Sequence, residues 1–249
     1  MRNIKLVFAY DGKNYHGWQY QDNALSIQEV ITKVLKKIFK TKVNINGCSR
    51  TDAGVHANEY CANIKIDSDI GCENLIRAMN SLLPEDISLL YAEDVDDDFH
   101  ARYSAVSKEY VYKVYDGKIR DPFLKDYAYF WRYKIDENLL NEQAKDFIGL
   151  HDFKAFCSSG SKIRDTKREV LQASVERNGD IVIFKFRARA FLYNMVRIMV
   201  GTLLYINGGQ IKTGDIENII ESKDRKASGK TVPPNGLYLN HVYYGENDE

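Results

Sequence analysis

The stretch GCSRTDAGVHA, residues Gly47 to Ala57, sets an arginine and a carboxylate at i, i+2 just after the apolar Val43 and Ile45. On an extended chain, Arg50 and Asp52 would point to the same face. A guanidinium within reach keeps a carboxylate ionised and fixes its rotamer. An ionised, oriented Asp52 beside the small Ala53 and Gly54 is suited to attack an electrophilic carbon. Gly54 would supply a left-handed turn and let a bulky substrate come close. Taken alone, R-x-D also describes a structural ion pair at a strand end, so the surrounding residues must decide.

Other chemistries find less support. TDAG is not the DTG of aspartic proteases, no second carboxylate stands at the spacing of a glycosidase pair, and no glycine-rich phosphate loop precedes a helix. Cys48, Cys61, Cys72 and Cys157 form no CxxC pair and no cluster with histidine, which argues against a metal centre and for a reduced, cytoplasmic setting. With 249 residues, 44% hydrophobic and 28% charged, the composition is that of a soluble globular protein with two domains or two lobes. No run of about 18 apolar residues predicts a membrane span. MRNIKLVFAYDG carries a charge inside its apolar stretch and reads as a first strand, not a signal peptide. The net charge of zero argues against a uniformly basic nucleic-acid binder. The charges are nevertheless segregated. Acids crowd into Glu93–Asp98 and the tail Glu246–Glu249, and bases into Lys162–Arg168, Arg187–Arg197 and Lys223–Lys230. Such segregation can give a neutral protein one positive face.

The elements that must carry these residues follow from periodicity. A strand is expected over 3–10, then a loop rich in turn formers and aromatics. Ser26 and Glu29 form a capping box, with Leu25 and Val30 as a staple, ahead of a helical stripe from Ile27 to Ile38. Strands near 43–50 and 58–66, a helix over 73–83 ending before Pro84, and a strand over 87–95 complete a β-α-β-β-α-β order, the split βαβ arrangement. The second half looks like a decorated version. It has a Tyr-rich strand over 104–115, a helix over 137–149, and strands over 168–177 and 181–190 joined at Asn178-Gly179-Asp180. An apolar helix from Leu192 to Leu204, a short helix near 213–222 and a strand over 237–244 follow. The order restarts near 104, which predicts an N-terminal α+β lobe over 1–103 and a C-terminal α+β lobe over 104–249.

As a whole, GCSRTDAGVHA closely resembles the catalytic motif of the TruA family of tRNA pseudouridine synthases. YDGKNYHGWQYQ (Tyr10–Gln21), FHARYSAVSKEYVY (Phe99–Tyr112), HDFKAFCSSG (His151–Gly160), FLYNMVRIMVG (Phe191–Gly201) and VPPNGLYL (Val232–Leu239) resemble its other blocks, in family order along the chain. The resemblance implies a pseudouridine synthase fold: two ferredoxin- or RRM-like split βαβ lobes sharing a central antiparallel sheet with helices on one side. It implies isomerisation of uridine to pseudouridine on the 3′ side of the anticodon stem-loop, at position 38, 39 and/or 40, by a cytoplasmic homodimer needing neither cofactor nor metal.

The resemblance also implies roles. Asp52 takes the place of the nucleophile, attacking carbon-6 of the uracil or carbon-1′ of the ribose. Tyr110 matches the active-site tyrosine; on an extended strand it shares a face with Lys108, Tyr112 and Val114, where it could stack on the base and help remove the carbon-5 proton. Arg197 matches an arginine close to the Asp, and a pair with Asp52 would join the two lobes. Arg50 matches an arginine that enters the RNA where the base has left, a task suited to a planar guanidinium. Leu237 and Leu239 would wall the base pocket. His56 reads as a hydrogen-bonded scaffold residue and Cys48 as a small buried one. Lys13, His16, Trp18, Lys162, Arg164, Lys167, Arg168, Arg187 and Arg189 offer the cations and aromatics that tRNA phosphates and unstacked bases need. Departures from the pattern are small: Ser49 replaces a glycine, and Tyr193 and Asn194 stand where histidines are common. A non-catalytic tRNA-binding chaperone on the same fold is the alternative, and a module that binds no RNA a weaker third.

Overall fold

The structure, a computed structural model, describes residues 1–245 except 159, 161 and 162. Lys162 and the acidic tail therefore lie outside the described residues. In chain order the elements are β1 (Arg2–Tyr10), α1 (Ile27–Phe39), β2 (Ile45–Gly47), β3 (His56–Ile66), α2 (Cys72–Asn80), β4 (Ile87–Val95) and β5 (Ser107–Tyr115). They continue with β6 (Tyr129–Phe130), α3 (Glu137–Ala144), β7 (Gly149–Asp152), β8 (Lys167–Asn178), β9 (Ile181–Ala188), α4 (Met195–Asn207), α5 (Ile216–Ser222) and β10 (Leu237–Tyr243). The chain forms two compact units: 1–106 with 238–249, and 107–237. No helix among the described residues is long and apolar enough to cross a membrane.

The first unit realises the split βαβ order. β1 lies between β4 and β3, antiparallel to both, and the short β2 pairs antiparallel with β3. β10 adds to the other edge of β3 in parallel register, Tyr238 opposite His56, so the sheet is mixed where an all-antiparallel one was expected. The two helices, α1 and α2, pack against each other. α1 begins where expected: Ser26 accepts from the Glu29 N–H at 3.3 Å. The box is only half closed, because the Glu29 carboxylate turns to Lys33 at 2.6 Å. Ile27, Ile31, Val34 and Leu35 on α1 are buried, as are Ile4, Leu6 and Phe8 on one face of β1. The acidic run is anchored by two buried asparagines. Asn3 donates to the carbonyls of Asp96 and Phe99, and Asn63 accepts from the Ala101 N–H.

The second unit orders its strands β5-β9-β8-β7, antiparallel throughout, with β6 added in parallel to β5. α3 packs on β8, α4 on β5, and the two helices touch. The helix expected over 137–149 stops at Ala144, passes through a single 3-10 turn, and gives way to β7. Ile148 is already extended (φ −71°, ψ 136°), and Gly149 at φ +116° opens β7. β5 is held at its end by a buried ion cluster. Asp116 takes a bidentate contact from Arg177, 2.9 Å at each oxygen, plus the Ile135 N–H and Lys134. Arg177 also reaches Glu137 in the first turn of α3 at 2.9 Å. Burial alone would raise the Asp116 carboxyl, but these donors outweigh it and hold it below its usual 3.8.

A carboxyl lowered in the folded state contributes stability that is complete above its unfolded value and is lost as pH falls through its folded value. Asp116→Asn is therefore expected to cost about 3 kcal/mol at neutral pH, because it removes the buried carboxylate of the pair and leaves the half-buried Arg177 with Glu137 alone as its charged partner. The gap to wild type should narrow as pH drops below about 4. Urea unfolding at a series of pH values measures both effects.

Candidate active site

The strand β2 ends at Gly47, so Arg50 and Asp52 sit in the loop Cys48–Val55, not on an extended strand. The shared face expected from i, i+2 spacing is therefore absent. Among the described residues no ion pair joins Arg50 to Asp52. Arg50 is exposed and Asp52 half-buried.

What shapes this loop is the aromatic segment after β1. Gly17 has φ +81°, and a Cβ there would lie 2.1 Å from the Thr51 carbonyl oxygen. Its lack of a side chain thus lets one main chain rest on the other immediately before Asp52. Further bonds pin the loop on both sides. Tyr10 and Thr51 share a hydroxyl contact at 3.1 Å, and the Gly54 N–H reaches the Tyr15 carbonyl at 3.1 Å. The Val55 N–H closes a turn on the Asp52 carbonyl at 3.2 Å. Gly54 takes the positive φ foreseen for it, +78°. The carbonyls of Gly17 and Trp18 accept from the first N–H groups of α1, at Ile27 and Gln28, and so satisfy donors that a helix start leaves open. Below the loop, the Tyr60 hydroxyl donates to the Ser49 carbonyl at 2.5 Å, and the Cys48 N–H bonds the Cys61 carbonyl. Burial first, and the neighbouring Cys48 second, push the Cys61 thiol up to about 12, so it stays a packing residue.

Trp18 corrects one expectation. It is 2% exposed and stacks on Tyr60 with ring centroids 3.8 Å apart. It is the floor under the loop and cannot meet RNA. His56 is the scaffold residue foreseen. It is buried, its Nδ1 lies 3.1 Å from the Gly12 N–H and 3.2 Å from an Asp11 oxygen, and its ring stacks on Tyr238.

In the second unit, Tyr110 lies on β5 opposite Phe186 and is 8% exposed, with its ring edge-on to Phe191 at 5.1 Å. Tyr112 and Val114 on the same face are fully buried. The Tyr112 hydroxyl donates to the Pro233 carbonyl at 2.7 Å, and burial raises it well above the usual phenol. Arg197 is half-buried near the start of α4. Its Nε donates to the Val232 carbonyl at 2.8 Å and its Nη1 to Asn194 Oδ1 at 2.6 Å. The expected apolar stripe began at Leu192, but Asn194 turns left-handed (φ 60°) and delays the helix to Met195. Asn194, noted from sequence only as a departure from the family pattern, and Ser158, which accepts from Asn194 Nδ2 at 2.8 Å, were given no role there. The signal available was an asparagine directly before an apolar helix, which normally reads as a simple cap. Leu237 is 6% exposed. Leu239, on the strand β10 opposite Ala57, is 0% exposed, so it packs the interior and has no surface to offer a base.

The cations named for the RNA differ in availability. Lys13, His16, Arg164 and Lys167 are exposed, Lys13 beside Asp11 at 3.3 Å. Arg168 bonds the Asp165 and Lys167 carbonyls, Arg187 bonds the Ser107 hydroxyl, and Arg189 pairs with Glu169 at 2.6 Å.

The Gly17–Thr51 contact leaves no room for a methyl group. Gly17→Ala is expected to lower stability by about 1–3 kcal/mol, through strain at a positive φ. Urea unfolding checks this.

Comparison with known proteins completes the picture. Residues 6–104 and 143–245 match the family model described as tRNA pseudouridine synthase. The intervening segment, which holds Tyr110, is outside that match. tRNA pseudouridine synthase A of Thermoanaerobacter sp. (strain X514) is 46% identical over 244 residues, covering 98% of this chain and 100% of the relative. The Acetivibrio thermocellus protein of the same name is 44% identical over the same shares, and tRNA pseudouridine synthase A 2 of Clostridium perfringens 42%. With both the Asp52 loop and the Arg197 helix inside the family match, and relatives aligned over nearly their whole length, the chain belongs to the tRNA pseudouridine synthases of the TruA family, isomerases that act on tRNA.

Proposed function

We propose that this chain forms pseudouridine on the 3′ side of the tRNA anticodon stem-loop, at position 38, 39 and/or 40, with Asp52 as the nucleophile. The observation that carries the reading is the state of Asp52. It is half-buried, on a loop braced from below by Trp18 and Tyr60 and from the side by Gly17, with Arg50 exposed on the same loop. A carboxylate so held is oriented yet reachable.

A uridine stacked in RNA hides its reacting atoms, so it must be turned out first, at a cost on the order of a few kcal/mol. Arg50 suits the gap left behind, because a guanidinium stacks and hydrogen-bonds in one plane. In this reading the base lies against Tyr110, with Leu237 beside it, and stacking recovers part of the cost. Asp52 attacks carbon-6 or carbon-1′, and the bond from carbon-1′ to N1 breaks. The base turns and bonds carbon-1′ through carbon-5, and the bond to Asp52 breaks with its electron pair returning to the carboxylate. Carbon-5 then loses its proton with the help of the Tyr110 hydroxyl, and N1 gains one. The exchange is redox-neutral and consumes no co-reactant. Arg197 serves the isomerisation as a cation at the start of α4. Lys13, His16, Arg164, Lys167, Arg168, Arg187 and Arg189 contact the RNA, with Lys162 among them by sequence. The enzyme works as a homodimer in the cytoplasm.

Release of tritium from carbon-5-labelled tRNA reads the reaction directly. Wild type is expected to release label, and Asp52→Asn to lower release by at least about 1000-fold while tRNA affinity stays within about threefold. Arg50→Ala is expected to lower turnover by about 100-fold. Retention of label by wild-type protein that still shifts tRNA in a gel would mean the chaperone alternative. Absence of any gel shift at low salt would mean a module that binds no RNA. Wild-type release by Asp52→Ala would falsify the nucleophile.

A further inference from the structure

Asn194 breaks two local rules at once. A helix N-cap is normally extended, with its side chain accepting from the first turn. Asn194 is the N-cap of α4, yet it sits at φ 60°, ψ 12° and makes no capping hydrogen bond. The other non-glycine residues with positive φ among the described ones, Lys40 and Lys223, are helix C-caps, where that conformation is routine. A conformation that costs energy and forgoes a cap is held for another purpose.

The side chain shows the purpose. Oδ1 accepts from Arg197 Nη1 at 2.6 Å, and Nδ2 donates to Ser158 Oγ at 2.8 Å. Ser158 is itself fixed, its N–H bonded to the Tyr193 carbonyl at 3.2 Å. The amide thus has one orientation, oxygen toward the guanidinium. The second acceptor is equally immobile. The Val232 carbonyl takes Arg197 Nε, while the Val232 N–H returns to the Arg197 carbonyl at 3.3 Å. That segment is clamped to α4 at Gly201, where a Cβ would lie 1.8 Å from the Lys230 carbonyl oxygen, and at Thr202, which accepts from the Gly229 N–H. Two neutral, fixed acceptors therefore define the plane of the guanidinium.

We propose that Asn194 is a positioning residue that aims Arg197, an inference resting on the reading in which Arg197 serves the isomerisation. Asn194→Gly isolates the effect, since glycine keeps the left-handed backbone and deletes only the amide. Its thermal midpoint is expected to stay within a few degrees of wild type. Its kcat should fall about 10- to 100-fold, with KM for tRNA changed less than about threefold. In an Arg197→Lys background, where the planar fork is gone, adding Asn194→Gly should alter kcat by less than about twofold. Should Asn194→Gly not fold, Ser158→Ala, which frees the amide to rotate, is expected to lower kcat about 3- to 10-fold, and again not in the Arg197→Lys background. Unchanged kcat in the folded variant, or losses that add fully in the double variant, would overturn the positioning role. Wild-type turnover by Arg197→Ala would instead overturn the reading of Arg197 itself, whatever Asn194→Gly does.

Discussion

The Gly17 main chain resting on the Thr51 carbonyl is the contact on which the rest of the first unit depends. An Asp on a loop is useful only if the loop does not wander, and loops have few side chains to spare for bracing. Here the bracing comes from main chain against main chain, which no rotamer change can loosen. The same segment that supplies Gly17 supplies Trp18 as a floor, and the carbonyls that start α1. One short stretch therefore joins the first strand, the first helix and the Asp52 loop, and its density of glycine and aromatic residues follows from that triple duty.

The second unit contains two arginines with different environments. Arg177 faces the carboxylates Asp116 and Glu137, and its charge is matched where it stands. That arrangement ties together the end of β5, β8 and the start of α3. Arg197 is oriented by a carbonyl and an amide oxygen. These two acceptors fix the direction of its Nε and Nη1. The surrounding helix is buried on nearly every side, so the guanidinium has a rigid base.

The β-α-β-β-α-β order was legible because hydrophobic period and capping residues agreed in α1, β1 and β4, and because Asn178-Gly179-Asp180 announced its hairpin. The helix ending at Ala144 was overrun because the apolar pattern continues through the 3-10 turn into β7, where Ile148 is already extended. The Arg50–Asp52 pairing was misread because a period-2 argument holds only while the strand lasts, and β2 lasts just to Gly47. Trp18 looked like an RNA platform because an aromatic among polar residues has the same composition whether it faces out or in; its stacking on Tyr60 was decided by β3, far along the chain. Leu239 was placed in a pocket wall by its motif, while its strand register turns it inward. Asn194 went unread because its residue type predicts a cap, and it is the departure from that prediction that carries the information.

The first unit is discontinuous: β10, at the far end of the chain, completes it by lying along β3 beside His56. β2 covers β3 at Ala62–Ile64, whereas β10 covers it at His56 and Ala57, so during synthesis on the ribosome that end of the strand stays unpaired on this edge until more than a hundred intervening residues have emerged. The Asp52 loop leads directly into that end, so the support beside the motif is the last part of the first unit to be made.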